Sequence, residues 1–404
     1  MPLGRSAARS RSGSGAVRAG ARRRIRALAL AALALAPAGC GAPTESDEPG
    51  TIDTVVGSGQ TGWLEGGYGG DAGDARSARL NAPRALAFSA DGTLYIADTD
   101  NNRVRSVDPD SGTVNTVAGG GSRDWAGAES ATEVALPEVT DLAVDAYGDT
   151  LYIAAMLENQ VAAVDLTDGS IEILAGRDDG TAIDMREREA ERLRGLWWPS
   201  GVAVGPDDTL YIADSGNGRV VAVGPHRGRD TGHPDAEHIR VVAGNGAAAP
   251  DAGSWEGGTP PDGEFGDLGR LTVGDDGSVY FVDATLGLRK IDGYDHTVGP
   301  AWNPDLPRNP QALAVAPESG TLYAADGARN RVLAYVPGRR QPVVVAGTGA
   351  HGFSGDGGPA RQAALDSPGG LAISAGGDLY IADTHNHRIR VVNDVAVAVG
   401  ELTD

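Results

Sequence analysis

Acidic residues recur at one position along this chain, each directly after a short apolar segment: Asp98, Asp214, Asp283, Asp326 and Asp383. An arginine follows five residues after four of them, at Arg103, Arg219, Arg331 and Arg388. A ring of such carboxylates could bind a cation. The spacing also fits a structural role, in which each aspartate accepts backbone N–H bonds in its own turn and pairs with that arginine. Asp283 has Gly287 at the arginine position, so it is the best single candidate for a ligand contact.

Aromatic residues form a second recurring set. The six tryptophans lie in or at the end of the segments between repeats: Trp63, Trp125, Trp197, Trp198, Trp255 and Trp302, with Phe353 in the remaining segment. They could stack on a sugar or an extended peptide. The spacing glycine-x-x-x-aromatic also recurs, at 59–63, 121–125 and 349–353, which favours packing between repeats for at least half of the rings. The predicted ligand contacts are Trp197, Trp198, Asp283, Trp63 and Trp255, and we expect Trp197, Trp198 and Asp283 to be exposed on one rim of the connector face.

Metal and catalytic motifs are weak in this sequence. His226, His233 and His238 share one hydrophilic segment, which is typical of a solvated loop, and His385 and His387 occupy positions of a predicted turn. Asp71, Asp74 and Asp356 lie in glycine-rich segments where oxygen ligands could hold calcium. The chain has no Gly-x-Ser-x-Gly elbow and no phosphate-binding loop. We therefore predict no catalytic residues and no cofactor, with calcium or another divalent metal left open.

The residues above are positioned by an internal repeat. The segment LYIAD occurs at 94–98, 210–214 and 379–383, with looser copies at 151–155, 279–283 and 322–326. Each copy has an alternating strand before it and two more strands after it, separated by turn residues. Four short strands cannot bury both faces of a sheet, whereas six such sheets packed around an axis can. The sequence predicts an all-β fold, a six-bladed β-propeller of four-stranded antiparallel blades.

The repeat unit resembles the NHL repeat family. The resemblance is carried by PRALA at 83–87, the tyrosine strand, NRV at 102–104, and the connector GFSGDGGPA at 352–360. It covers roughly residues 51 to 399 and implies a propeller that serves as a binding platform, as a sensor or, less often, as a metal-dependent lyase. The lyase members of the family use three histidines around a zinc in the central channel. No three histidines here fall at equivalent positions of different repeats.

The N-terminal segment differs in composition from the repeats. Its first 39 residues hold eight arginines and no acid, followed by an apolar run that ends shortly before Cys40, the only cysteine. This pattern predicts a signal peptide at 1–39, a flexible tether at 40–50 and the propeller at 51–404. AGC at 38–40 resembles the end of a bacterial lipobox, so Cys40 is a candidate for lipidation, with simple cleavage as the alternative. The predicted location is extracytoplasmic, as a bacterial cell-membrane lipoprotein or a secreted protein.

Charge narrows the choice of partner. The net charge is −21, and removal of the arginine-rich leader would make the remainder more acidic. Such a surface repels phosphate backbones, which argues against nucleic acid as a partner. We predict a monomer that acts as a non-catalytic binding or scaffolding module for a protein, peptide or glycan on the face formed by the connectors between blades. Its only membrane contact would be a lipid at Cys40. The alternative is a secreted metal-dependent lyase or hydrolase with its site in the central channel.

Closure of the propeller has two candidate strands. Residues 51–57 resemble a fourth strand that precedes the first complete repeat, and residues 395–399 could fill the same place. We favour residues 51–57, because joining the two ends of the chain in one blade removes free sheet edges.

Overall fold

The structure is a computed structural model that describes residues 50–59, 66–125, 127–176, 195–224, 239–244, 263–301 and 310–401. The predicted signal peptide, Cys40 and the tether up to residue 49 lie outside these residues. In the described part, no helix has the length and apolar character needed to cross a membrane.

The described residues form six antiparallel sheets, and strand order assigns four strands to each of six blades, consecutive in the chain in blades 1 to 5 and completed by the N-terminal strand in blade 6. The first strands are β3 (Pro83–Phe88), β7 (Val139–Val144), β11 (Pro199–Val204), β15 (Leu268–Val273), β19 (Ala312–Val315) and β24 (Pro368–Ile373). The second strands are β4 (Leu94–Asp98), β8 (Thr150–Ala155), β12 (Leu210–Asp214), β16 (Val279–Asp283), β20 (Leu322–Asp326) and β25 (Leu379–Asp383). The third strands are β5 (Arg103–Val107), β9 (Gln160–Asp165), β13 (Arg219–Val223), β17 (Gly287–Ile291), β21 (Arg331–Tyr335) and β26 (Arg388–Val392). The fourth strands are β6 (Thr113–Gly119), β10 (Ile171–Ala175), β14 (Ile239–Ala243), β18 (Val298–Pro300), β22 (Val343–Ala346) and β1 (Thr51–Val56).

Two short strands extend two of the sheets. β2 (Gly73–Asp74) adds to blade 1 beside β6, and β23 (Gly358–Pro359) adds to blade 6 beside β1. The first strands of successive blades contact one another in a closed ring, with β24 of blade 6 against β3 of blade 1. The predicted six-bladed β-propeller is confirmed.

Burial explains why the second strand of each repeat is so strongly apolar. All five residues of β4 are buried, as are all five of β16 and β20. A blade packs on both faces against its neighbours, so the strand has no solvent-facing side and the usual apolar–polar alternation disappears. One apolar cluster, for example, joins Ala97 and Val104 of blade 1 to Val139 and Leu142 of blade 2.

The tight turn between second and third strands has a common form in four blades. A short 3-10 turn follows the aspartate and ends at a left-handed residue: Asn102, Gly218, Asn330 or His387. Glycine and asparagine tolerate this conformation best, which accounts for the residue types at three of the four positions. His385 and His387 are therefore turn residues, as predicted.

The ring closes through the N-terminal strand. β1 pairs antiparallel with β26, in a register that places Ile52 opposite Val392 and Thr54 opposite Arg390. The competing segment is instead the α-helix α1 (Val395–Glu401), whose Val395 is buried in the same apolar cluster as Ile52. Closure by residues 51–57 is confirmed, and the C-terminal segment covers this junction as a helix.

Candidate functional site

The strand-ending aspartates are buried and fasten the connectors that precede them. In four blades the carboxylate accepts a backbone N–H from the residue 17 positions earlier: Asn81 to Asp98, Trp197 to Asp214, Gly266 to Asp283 and Asp366 to Asp383. The donor-to-acceptor distances are 2.7, 2.7, 3.0 and 2.7 Å in that order. Each of these four aspartates binds its own connector, so this position of the repeat has a structural role.

Pairing with the arginine five residues later holds in two blades. Arg219 Nε donates to Asp214 at 2.6 Å, and Arg331 Nε donates to Asp326 at 3.2 Å. In blade 1 the prediction is wrong, because Asp98 pairs with Arg105 at 3.3 Å and not with Arg103.

Blade 6 departs in the same way, because Asp383 pairs with Arg390 at 3.8 Å and not with Arg388. The physical reason is that an aromatic ring of the glycine-rich connector in each of these blades binds the arginine that was expected to pair with the aspartate. Arg103 stacks over the Tyr68 ring at 4.0 Å, and Arg388 stacks over the Phe353 ring at 3.5 Å.

The carboxylates considered as calcium ligands lie in the same connectors and are already bonded to other groups of the protein. Asp71 forms an ion pair with the fully buried Arg105 and accepts the Tyr68 hydroxyl, and Asp356 pairs with the fully buried Arg390 at 2.6 Å. Asp74 caps a 3-10 turn through the N–H of Arg76. Within the described ranges, no group of three or more His, Cys, Asp or Glu side chains is arranged to hold a metal ion.

Asp283 lacks the exposure that we predicted for a ligand contact. Its side chain is 0% exposed and accepts the backbone N–H groups of Gly266, Thr285 and Leu286 at 3.0, 2.7 and 2.7 Å. Because Gly287 supplies no arginine, the turn itself provides these donors. The expectation of an exposed carboxylate on the rim is wrong, and the residue holds its turn and connector.

The tryptophans separate into two kinds. Trp125 is 6% exposed, packs between blades 1 and 2, and donates its indole N–H to the Ala135 carbonyl at 2.7 Å. Trp197 and Trp198 are 38% and 47% exposed, with ring centroids 5.6 Å apart. The regular aromatic is therefore a scaffold residue, whereas the irregular pair faces solvent.

Three of the tryptophans and three of the histidines considered above fall on residues that the structure does not describe. Trp63, Trp255 and Trp302 lie outside the described residues, as do His226, His233 and His238. The aromatic of blade 1 that corresponds in its contacts to Phe353 is Tyr68, which the glycine-x-x-x-aromatic spacing had missed.

The exposed tryptophan pair belongs to the connector face. Trp197 and Trp198 directly precede β11, and the carbonyl of Trp197 accepts the N–H of Gly216 in the turn between β12 and β13. A methyl group added at Gly216 would lie 2.7 Å from Cγ of Trp197, so the ring lies on that turn. Trp198 takes a left-handed backbone conformation (φ 54°), and its N–H donates to the Asn159 side chain. These hydrogen bonds hold the backbone of both residues against two blades, and the Trp197 ring lies between the turn and the Trp198 ring.

A central channel of about 320 Å³ runs along the first strands of all six blades. Its wall is mostly Ala, Val and Leu, interrupted by the charged residues Arg84, Asp141 and Arg270. The described wall residues include one carboxylate and no histidine, so the side chains expected for a metal-dependent lyase or hydrolase do not meet there.

The charged residues of the channel form one connected group. Nη1 of Arg270 lies 3.8 Å from Oδ1 of Asp141 and donates to the Ser200 carbonyl at 2.9 Å. Burial raises the pKa of Asp141 to about 6, although the charge of Arg270 opposes the shift. Asp141 and Arg270 belong to blades 2 and 4, and they meet beside Gly201 of the intervening blade, which has no side chain to separate them.

The channel opens on the connector face into a second pocket of about 280 Å³. We call it the mouth pocket; its lining residues are Arg84, Arg270, Gln311, Gly327, Ala328, Ser367, Gly369, Thr384 and His385. These residues lie at the starts of first strands and in the turns between second and third strands. The exposed tryptophan pair lies at the start of β11, so it shares this end of the propeller.

Sequence reasoning missed Asp141 and Arg270, although a signal was present. At their position in the first strand the other blades carry Ala85, Gly201, Ala312 and Gly370, and these two are the charged departures, with opposite signs.

Six antiparallel blades around a channel that opens on the connector face define a β-propeller. The NHL repeat family model matches residues 196–222 and 365–392, and the Teneurin NHL domain model matches residues 64–108. The chain therefore carries NHL repeats within a six-bladed β-propeller.

Relatives of known name are longer than this chain. NHL repeat-containing protein 2 of Homo sapiens is 24% identical over 340 residues, which cover 78% of this chain and 39% of that protein. Protein SUPPRESSOR OF QUENCHING 1, chloroplastic, of Arabidopsis thaliana is 26% identical over 346 residues, 85% of this chain and 27% of that protein. The chain thus spans well under half the length of these relatives.

Solved structures share the fold at lower identity. A Bacteroides thetaiotaomicron protein of unknown function superposes with a TM-score of 0.58 at 18% identity, over 84% of this chain and 74% of that one. An auxiliary nutrient binding protein from the same organism gives a TM-score of 0.56 at 15% identity, over 84% and 75% of the two chains.

Proposed function

We propose that this NHL-repeat propeller is a non-catalytic binding module that takes a peptide, protein or glycan on its connector face. The observation that carries the proposal is the exposed Trp197 and Trp198 pair at the same end as the mouth pocket. Rigid aromatic rings that lose little entropy on binding are typical anchors of recognition surfaces. The fold shared with Bacteroides auxiliary nutrient binding proteins agrees with a binding role.

The proposed location is extracytoplasmic, with Cys40 as a lipid anchor. An arginine-rich leader followed by an apolar run and a small-small-Cys segment supports it. Replacement of Cys40 by Ser should move the protein from the membrane fraction to the soluble fraction of the producing cells. An unchanged distribution would remove the anchor from the proposal.

The binding role is tested by screening the purified propeller on glycan and peptide arrays, followed by titration of the best ligand against Trp198→Ala. We expect this variant to bind about 30-fold more weakly, as the loss of an anchor worth about 2 kcal/mol would produce. The matched control is Tyr294→Phe, at a fully solvent-facing aromatic (95% exposed) in the turn between β17 and β18, which should bind normally. Equal affinity of Trp198→Ala and the unmodified protein would refute the connector-face site.

A further inference from the structure

The mouth pocket concentrates positive charge on an acidic protein. Arg84 of blade 1 and Arg270 of blade 4 approach it from opposite sides of the ring. Among its described lining residues there is no Asp or Glu. Because the chain as a whole has a net charge of −21, this concave cationic patch is a departure from the surface around it.

One of the two guanidinium groups is already neutralised, and the other is not. Arg270 pairs with Asp141, and its Nε and Nη1 donate to the carbonyls of Gln311 and Ser200 at 3.2 and 2.9 Å. Its Nη2 has no acceptor in the part of the chain that the structure describes. Arg84 is exposed and has no hydrogen-bond or ion-pair partner within those same residues. The pocket therefore holds one guanidinium group without a counter-charge, that of Arg84, and several unused N–H donors.

The remaining polar groups on the wall are neutral or already paired. His385 lies 3.4 Å from the Asp366 carboxylate, and the Thr384 hydroxyl donates to the Pro83 carbonyl at 2.8 Å. The Ser367 hydroxyl donates to the Asp366 carboxylate at 3.3 Å, and its oxygen can still accept a hydrogen bond from a hydroxyl group of a ligand. One anionic group and a few hydroxyls would thus complement the pocket.

We propose that the mouth pocket binds a small ligand with a single carboxylate, of the hexuronic acid class, whose carboxylate lies between Arg84 and the free Nη2 of Arg270. The proposal rests on the proposed binding function and names the ligand class of that same face. A volume of about 280 Å³ is near the lower end of small-molecule sites, which suits one monosaccharide unit.

Charge balance favours a carboxylate over a phosphate. Arg270 has Asp141 as its counter-charge, whereas Arg84 has none in the described residues, and a monoanion supplies one. A phosphate monoester carries nearly two negative charges at pH 7 and would leave an excess negative charge in a partly desolvated pocket of an acidic protein. Guanidinium forks also bind carboxylates through two parallel hydrogen bonds, which gives the site geometric selectivity.

The test is a titration of the whole propeller with three sugars that differ at one carbon: galacturonate, galactose and galactose 6-phosphate. We expect galacturonate to bind with a Kd on the order of 0.1 to 1 mM, at least about tenfold more tightly than either of the others. No binding of galacturonate by about 10 mM, or equal binding of galactose, would overturn the proposal. Tighter binding of galactose 6-phosphate would also overturn it, because it would mean that the pocket selects charge and not a carboxylate.

Two variants distinguish binding in the mouth pocket from an effect of the overall charge of the protein. Arg84→Gln should lower the affinity for galacturonate about tenfold or more and leave the melting temperature unchanged, since Arg84 has no structural partner in the described residues. Arg240→Gln removes the same charge from an exposed position of the outer strand β14 and should bind normally. Equal loss in both variants would overturn the assignment to Arg84.

Failure of this inference and failure of the proposed function give different results. If galacturonate does not bind but Trp198→Ala still weakens a larger ligand found on the arrays, only the carboxylate pocket is wrong. If galacturonate binds through Arg84 while Trp198→Ala has no effect on any ligand, the tryptophan surface is wrong and the pocket stands.

Discussion

Replacement of Ile52 by Ala tests the strand that closes the propeller. Ile52 is 0% exposed, and it packs against Val392, Val395 and Val399, all of which are also buried. A closed ring leaves the surrounding strands little freedom to collapse into the space, so most of the cavity should persist. For buried Ile to Ala changes the range is about 2 to 5 kcal/mol, and we expect about 3 to 4 kcal/mol here.

Chemical denaturation of Ile52→Ala and the unmodified protein measures this loss as a shift in the denaturation midpoint at constant slope. Val397→Ala is the matched control in the competing segment, because Val397 is 51% exposed and should change the free energy of unfolding by less than about 0.5 kcal/mol. Deletion of residues 51–57 removes the whole strand and should cost more than the point mutation. If Ile52→Ala were no more destabilising than Val397→Ala, closure by β1 would contribute nothing to stability and the reasoning would fail.

The remaining predictions concern the rim, a buried arginine and pH. Trp198→Ala should change the free energy of unfolding by less than about 1 kcal/mol in the same denaturation assay, because nearly half of the side chain is already exposed; a loss of about 3 kcal/mol would make it a scaffold residue. Arg390→Met should cost about 3 to 5 kcal/mol, since it leaves the carboxylate of Asp383 buried without its positive partner, and an unchanged midpoint would contradict this. Burial raises the pKa of Asp383 to about 7 and that of Asp98 to about 6, so the native state binds more protons than the unfolded chain between about pH 4 and 7. The free energy of unfolding should therefore rise as the pH is lowered from about 8 to about 5.5, and Asp383→Asn should make this pH dependence less steep. A melting temperature that falls as the pH is lowered over this range would refute the prediction.

The fold could be predicted from the sequence because each blade is encoded locally and repeated. The apolar segment that ends in Asp, the turn residue after it and the alternating first strand all act within about 30 residues, so their agreement over six copies specifies blade number and order. The strand that closes the propeller could also be predicted, because β1 has the pattern of a fourth strand but is not preceded by the first three strands of a repeat.

Side-chain partners were harder to predict, because spacing along a strand does not distinguish residues on one face. Arg103 and Arg105 are two positions apart and point to the same side of β5. Which of them reaches Asp98 depends on Tyr68, a residue of the connector more than 30 positions earlier. The mistaken exposure of Asp283 has a similar origin, since its turn supplies backbone donors that residue identity does not reveal.

The division between scaffold and site follows from what repetition allows. A residue that the blades share is buried and bonded, as the strand-ending aspartates are in the five blades that carry them, and four of these aspartates hold their connectors. The channel position of the first strand is under no such demand, since Ala and Gly fill it in four blades. Asp141 and Arg270 could therefore replace small residues there without disturbing the sheets, provided that each had the other as its counter-charge. Arg84 needs no such partner because it lies at the wetter mouth, and this leaves its charge available to a ligand.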